Sequence, residues 1–336
     1  MFLNGEQQAV SESRIRQGCF FRFDYGAFSA ANAAYVKTQK GWIHMYKKDL
    51  VYLVAGGDQR QVHLADLLSM DSVVYAIGFS DDIVFSEHVN HVKSLVEIPA
   101  PVDIIVLPIP AMASGRTISA PLCAHPLLAD EVLSCGEPGT LVMGGMINSV
   151  LQKKCEQHGL QWIDYMEREE LAILNAVPTA EGAIQIAMEE LPTVLFGQRC
   201  LITGFGRISK VLVRDLLALG MDVTVSARKF ADLAWITVYG ARKLPICRLG
   251  DRLDKYDLII NTVPAKLFDR SMLSKVRKDS LIIDLASKPG GVDFDAAREL
   301  GVNTIWALSL PGKVAPISAG QIICDTIYNI LSELEG

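Results

Sequence analysis

Two glycines one residue apart, Gly204 and Gly206, stand where a short apolar run ending at Thr203 gives way to an amphipathic stretch through Leu219. A strand that turns on glycine into a helix leaves bare backbone N–H groups and the positive end of the helix dipole converging on one point, which is chemistry for holding a phosphate. Gly204 permits the reversal, and Gly206 lacks the Cβ that would keep a diphosphate off the backbone. Ser209 occupies the third position of Gly-x-Gly-x-x-Gly, where a small residue is needed for close helix–strand packing. Gly-x-Gly alone is a weak signal. Its context strengthens it: a strand before, a helix carrying Ile208, Val211, Leu212, Leu216 and Leu219 after, Gly220 as a stop, and a second strand from Asp222 to Ser226. Phe205, Arg207 and Ile208 complete the predicted dinucleotide turn.

The end of that second strand selects the cofactor. A site that prefers NAD places a carboxylate about 20 residues past the first glycine to hold the ribose 2′-hydroxyl; this chain reads Ser226-Ala227-Arg228-Lys229 there. A hydroxyl and two cations suit a 2′-phosphate, so the reading is NADP(H) over NAD(H), without closing off NAD(H), with Ser226 and Arg228 as readers. The competing reading of Arg228 and Lys229 is that they cap the next helix or face solvent.

These residues need a scaffold, and the chain supplies one by alternating β-branched runs with helical stretches from Leu50 onward. Strands are predicted over 51–55, 73–78, 102–107, 140–143 and 160–163, then over 201–203, 223–226, 243–246, 258–261, 281–284 and 304–307. The alternation predicts an α/β protein: two doubly wound parallel-sheet (Rossmann-like) domains, a cleft between them, and a C-terminal helix returning to the first. The expected boundaries are a leader over 1–44, a substrate and partner domain over 45–177, a bridging helix over 178–196, a nucleotide domain over 197–315 and the returning helix over 316–336.

Ligands of such sheets sit beyond the carboxyl ends of the strands. The loops there read Asn261-Thr262-Val263-Pro264-Ala265 and Asp284-Leu285-Ala286-Ser287-Lys288-Pro289-Gly290-Gly291. Thr262, Val263, Pro264, Ala286 and Ser287 are therefore expected against the cofactor, and Lys288 is a cation facing the cleft. Gly56-Gly57-Asp58-Gln59-Arg60 also follows a strand. An acid in that turn repels a diphosphate, which leaves Arg60 as a candidate bidentate clamp for a substrate carboxylate.

The 336 residues carry a formal net charge of −6 and contain no basic block, which argues against non-specific nucleic-acid binding. No uninterrupted apolar run reaches the roughly 18 residues of a membrane span. The 7 cysteines include no Cys-x-x-Cys pair, a usage that fits a reducing cytoplasm. The 6 histidines all fall at or before His158, so the nucleotide half has no imidazole base of the kind D-specific 2-hydroxyacid dehydrogenases use. His88 and His91 have the spacing of two metal ligands on one helical face, but no third ligand accompanies them, so the reading is a solvated helix and no metal. His63 and His125 are expected at helix starts or packed edges.

Several strings in order resemble one family: Gly56–Gln61, Glu167-Arg168 followed by Asn175–Gly182, Gly204–Arg207, Ser226–Arg228, Asn261–Pro264, Asp284–Gly291 and Leu310–Pro316 with Ala319–Gln321. From about Tyr46 to the C-terminus the chain resembles the A subunits of dipicolinate synthase. Ser209, Lys288 in place of the commoner arginine, and Ile317-Ser318 depart from the family pattern, and lysine for arginine puts bidentate carboxylate recognition at 288 in doubt. The resemblance implies oxidation with dehydration of a cyclic hydroxy-tetrahydrodipicolinate to dipicolinate in the mother cell of a sporulating bacterium, with NADP⁺ as formal hydride acceptor. It also implies the B subunit of dipicolinate synthase as partner, in a homo- or hetero-oligomer. Arg60, Arg168, Lys288 and Lys313 lie in the matching strings and are candidates to meet a dianionic substrate; ordinary ion pairing is the competing reading for each. Glu181 is the candidate base or orienter, or else an acid complementing the helix dipole. Two other functions stay open: an imino or amino acid dehydrogenase of the alanine dehydrogenase type, and a non-catalytic nucleotide-binding regulator.

The first 44 residues lack sustained periodicity and fall outside the resemblance, whereas Met45-Tyr-Lys-Lys-Asp reads as an ordinary bacterial start. Nor does the stretch have the basic and apolar regions of a signal peptide. Translation is expected to begin at Met45, and the intact mass of the native protein is expected to exclude residues 1–44.

Overall fold

The computed structural model describes residues 50–99 and 101–335, so the reading of the leader falls outside the described residues. The first half runs β1 (Val51–Ala55), α1 (Gln59–Leu68), β2 (Val73–Ile77), β3 (Val89–His91), β4 (Val102–Val106), a small hairpin of β5 (Thr117–Ile118) and β6 (Leu127–Leu128), α2 (Ala129–Leu133), β7 (Gly136–Gly144), α3 (Ser149–Gln157) and β8 (Gln161–Asp164). Helices α4 (Glu169–Leu174) and α5 (Ala176–Glu190) lead into β9 (Arg199–Thr203), α6 (Arg207–Ala218), β10 (Asp222–Ala227), α7 (Phe230–Val238), β11 (Arg242–Pro245) and β12 (Leu258–Asn261). The chain closes with α8 (Arg270–Leu273), β13 (Leu281–Asp284), α9 (Phe294–Leu300), β14 (Asn303–Trp306), α10 (Leu310–Val314) and α11 (Pro316–Glu335).

Each half is a six-stranded sheet whose paired strands all run parallel, in the order β3-β2-β1-β4-β7-β8 and β11-β10-β9-β12-β13-β14. In both, the chain steps outward to one edge and then jumps back past its first strand. The loops after the first and fourth strands therefore diverge and open a crevice at the carboxyl edge. Central strands are buried on both faces, which is why Leu-Ile-Ile at 258–260 and again at 281–283 reads as an unbroken apolar run. In the second half, Cys200, Ile202, Val223, Val225 and Ile260 pack under Leu212 and Leu216 of α6 and Ala183 and Ala187 of α5. The opposite face sets Leu201, Ile259 and Ile282 against Leu273, Ala296 and Ala297.

Small residues let the helices joining the halves approach closely. A Cβ on Gly182 of α5 would lie 3.2 Å from Leu310 and Val314 of α10, and one on Gly320 of α11 would lie 2.8 Å from the Arg60 carbonyl oxygen of α1. Helix α11 thus returns to the first half, burying Ile323, Ile327 and Ile330. The stretch Glu169–Glu190 is long and apolar enough by composition to cross a membrane, with a mean hydropathy of 1.3. Here it is the alanine-rich connector between the halves, packed on α6 and α10.

One local expectation is overturned. His88 and His91 do not share a helical face, because residues 89–91 form the edge strand β3, paired with Val74–Ala76 of β2. Three residues are too few to show an alternating pattern in sequence. The His91 ring packs instead against Phe79 and Phe85. At the α1–α11 crossing, Gly320→Val must displace backbone rather than a flexible side chain, and about 1–3 kcal/mol of stability is expected to be lost in chemical denaturation.

Candidate functional site

Strand register builds the site. At the carboxyl ends of the second sheet, Ser226, Thr203, Asn261, Asp284 and Trp306 are successive cross-strand neighbours, one from each of five strands. Their side chains occupy the row just beyond the apolar core, where alternation would otherwise call for another aliphatic residue. The Thr203 hydroxyl donates to Asn261 Oδ1 at 2.5 Å, and Asn261 Nδ2 donates to Asp284 Oδ1 at 2.8 Å and to the Val263 carbonyl at 3.0 Å. Asp284, fully buried, also accepts the Ala286 N–H at 3.0 Å and the Gly291 N–H at 2.7 Å. Trp306 Nε1 closes the row on the Ala286 carbonyl at 2.9 Å. The loops after β12 and β13 are thereby tied to each other. A Cβ on Gly291 would lie 2.1 Å from Asn261 Nδ2, so the position admits only glycine.

Beside this row the glycine turn takes the form expected. Gly204 has φ +90°, and a Cβ there would lie 2.6 Å from Thr262 Oγ1, whereas a Cβ on Gly206 would meet nothing within 4 Å. Gly206 is the N-cap residue of α6, which has no side-chain cap hydrogen bond, so its first-turn amides face open space. Ser209 is more than a tolerated substitute. Its buried hydroxyl lies 2.9 Å from Thr262 Oγ1, which itself donates to the Thr203 carbonyl at 2.8 Å, fixing the helix start to the loop after β12. Gly206, Arg207, Pro264, Ser287 and Lys288 are exposed at this edge, Phe205, Ile208, Thr262 and Val263 partly so, and Ala227 and Ala286 are buried beneath them.

The predicted phosphate readers divide. Arg228 and Lys229 are exposed just past β10 and pair with no carboxylate among the described residues. Ser226, the cross-strand neighbour of Thr203, is fully buried where Arg228 and Lys229 are exposed, and its Oγ finds no hydrogen-bond partner among the described residues.

The expected substrate cations divide as well. The Arg60 guanidinium is 7% exposed and clamped by Asp58, with Nε–Oδ1 at 2.9 Å and Nη2–Oδ2 at 2.8 Å, and Nη2 donates to the Ile109 carbonyl at 3.1 Å. Gly312 of α10 sits directly on this pair. Arg60 is thus a buried, internally paired side chain of the first half, covered by Gly312, and not an open carboxylate clamp. Arg168 is likewise engaged, held bidentately by Glu333 of α11 at 2.6 Å on each side and by Glu170 at 2.8 Å. These carboxylates push its guanidinium above the usual arginine range, while Arg168 holds the Glu333 carboxyl below the usual range. Lys288 and Lys313 are exposed and pair with no carboxylate among the described residues. Glu181 is corrected too: it is exposed in the groove between α5 and α6, beside Arg214 and Asp215, on the helix layer rather than at the strand ends.

Sequence reading passed over the polar row. The signal was there, since Leu-Ile-Ile-Asn and Leu-Ile-Ile-Asp end two strands with a polar residue in the same place. A second omission is Glu169, which forms an ion pair with Arg207, Nε to Oε1 at 3.1 Å, and so links α4 to the start of α6.

Two doubly wound parallel sheets, with Gly312 packed on the Asp58–Arg60 pair that follows β1, make up a dehydrogenase-type fold. The same fold is seen in the transhydrogenase of Sinorhizobium meliloti, at 16% identity and a TM-score of 0.62 over 84% of this chain and 94% of that one. Residues 51–166 match the family model for the N-terminal domain of the dipicolinate synthase A subunit. The dipicolinate synthase A subunit of Bacillus subtilis (strain 168) is 32% identical over 286 residues, 84% of this chain and 96% of the relative. The crystal structure of the dipicolinate synthase A subunit from Bacillus halodurans superposes with a TM-score of 0.78 at 30% identity, covering 84% of this chain and 97% of that chain. The chain belongs to the family of dipicolinate synthase A subunits.

Replacing Asp284 by alanine strands the buried N–H groups of Ala286 and Gly291 and frees Asn261. A loss of about 3 kcal/mol is expected in urea denaturation, since each unsatisfied buried group costs roughly 1–3 kcal/mol.

Proposed function

We propose that the chain is the NADP-binding, oxidoreductase component of a cytoplasmic dipicolinate synthase of sporulating cells, acting together with the B subunit of that synthase. The observation that carries the nucleotide half of this reading is the start of α6 at Gly206, open to solvent, with the cations Arg228 and Lys229, which have no carboxylate partner among the described residues, beyond the neighbouring strand. The substrate half rests on the family. Residues 197–315 then serve the nucleotide, and 45–177 the substrate and the partner.

The residues present fit the cofactor. The amides of Phe205 to Ile208 would hold the diphosphate, Arg228 and Lys229 would neutralise a 2′-phosphate, and Thr262, Val263 and Pro264 would line the site beside them. When bound, NADP⁺ supplies a hydride acceptor. The substrate, a hydroxy-tetrahydrodipicolinate, loses one water and two hydrogens, one as hydride and one as a proton, and the product ring is aromatic. Aromatisation favours the hydride loss, so orientation of the dianion is the protein's main task. Lys288 and Lys313 are the cations left for that task, because Arg60 and Arg168 already have carboxylate partners.

Calorimetry is expected to show tighter binding of NADPH than of NADH, and Arg228→Asp is expected to cut that preference about tenfold or more, the scale of one lost charge-assisted hydrogen bond. An unchanged ratio removes Arg228 from the reader role. Incubation of the chain with hydroxy-tetrahydrodipicolinate and NADP⁺, alone and with the B subunit, is expected to generate the ultraviolet band of the pyridine product. Nucleotide binding with no turnover in either case would instead mark a regulator.

A further inference from the structure

Arg60, Arg168 and Arg207 all have carboxylate partners, but they are not equally committed to them. The guanidinium of Arg60 is 7% exposed and that of Arg168 26%, and each donates several hydrogen bonds. That of Arg207 is 51% exposed and meets a Glu169 carboxylate that is 66% exposed, Nε to Oε1 at 3.1 Å. An ion pair so open to water contributes little stability and exchanges partners readily. Its place gives it consequence: Arg207 is the first residue of α6, beside the amides assigned above to a diphosphate.

Glu169 is not free to follow its partner. Arg168, the N-cap residue of α4, is bound on two sides by Glu333 of α11 at 2.6 Å and reaches Glu170 at 2.8 Å, which fastens the first turn of α4 around Glu169. The carboxylate therefore stays within one arginine side chain of the nucleotide turn. Two anions then compete for one guanidinium. A diphosphate offers Arg207 bidentate, charge-assisted hydrogen bonds, and forming them displaces Glu169. The carboxylate left behind repels the diphosphate across the same short gap. Both effects weaken nucleotide binding. Complementing the dipole of α4 does not explain the acid at 169, since Glu170 stands in the same first turn. We infer, on the nucleotide reading above, that Glu169 is a brake on that site: it draws Arg207 from the diphosphate and so trades affinity for release of the NADP(H). A hydride carrier must leave in every cycle, and release sets the rate of many enzymes.

The test is calorimetry of the full chain with NADPH. Glu169→Gln is expected to bind NADPH about fivefold more tightly than the wild type, the scale of one charge removed beside a dianion at a solvated site. Stopped-flow fluorescence is expected to place most of that gain in slower release. Glu169→Ala is expected to repeat it. Glu170→Gln takes the same charge from the same turn without touching Arg207, and is expected to change the affinity by less than about twofold. Arg207→Gln is expected to weaken binding about tenfold, the scale of a lost charge-assisted hydrogen bond, and to remove most of the gain from Glu169→Gln, as coupled partners do. An affinity that is unchanged or lower in folded Glu169→Gln and Glu169→Ala overturns the brake and leaves the nucleotide reading standing. So does an equal gain in Glu170→Gln. A wild type that binds no NADPH at millimolar concentration overturns the nucleotide reading itself, and the brake with it.

Discussion

The buried carboxylate of Asp284 is the constraint on which the candidate site depends. It lies in the sheet, fully removed from solvent, and accepts hydrogen bonds from Asn261, Ala286 and Gly291. A buried carboxyl group is tolerated in such a place only when hydrogen-bond partners surround it. Satisfying it therefore dictates the path of the loop after β13, and through Asn261 the path of the loop after β12. Thr262 and Ser209 extend the same chain of contacts to the start of α6. The glycine turn and its two flanking loops are one hydrogen-bonded unit.

A second principle is the sorting of positive charge. Arg60, Arg168 and Arg207 each have a carboxylate partner, and each pair joins segments distant in sequence or braces a turn: Asp58 beneath Gly312, Glu333 on α11, Glu169 on α4. Planar guanidinium groups suit such fixed, multidentate positions. The cations at the strand ends without a carboxylate among the described residues are Arg228, Lys229, Lys288 and Lys313, and all four sit on loops or a short helix where side chains stay solvated. Clamped against open is the division that separates the first half's apparent substrate clamp from the exposed cations of the loops.

Much of the fold was legible. The runs at 51–55, 258–261 and 281–284 become strands with the expected ends, since buried parallel strands must be continuously apolar and the residues that follow them must turn. The edge strand β3 and the hairpin of β5 and β6 were not, being two or three residues long and too brief for any period. The glycine turn was legible because glycine with positive φ has few substitutes. The burial of Ser226 was not legible, because composition names a hydroxyl but not how deeply the sheet sets it.

By itself the sequence determined what is local: which segments form strands, where helices start on bare amides, and that no acid stands at the end of β10. These follow from the covalent chain and its nearest neighbours. The tertiary structure alone decided which polar groups are already engaged. Whether Arg60 is open or clamped, whether Glu181 lies at the cleft or in a helix groove, and whether Asn261 and Asp284 touch, all depend on segments far apart in the chain meeting across a sheet. Hydrogen bonds and ion pairs are short-ranged, so their outcome is set by that meeting and not by residue type.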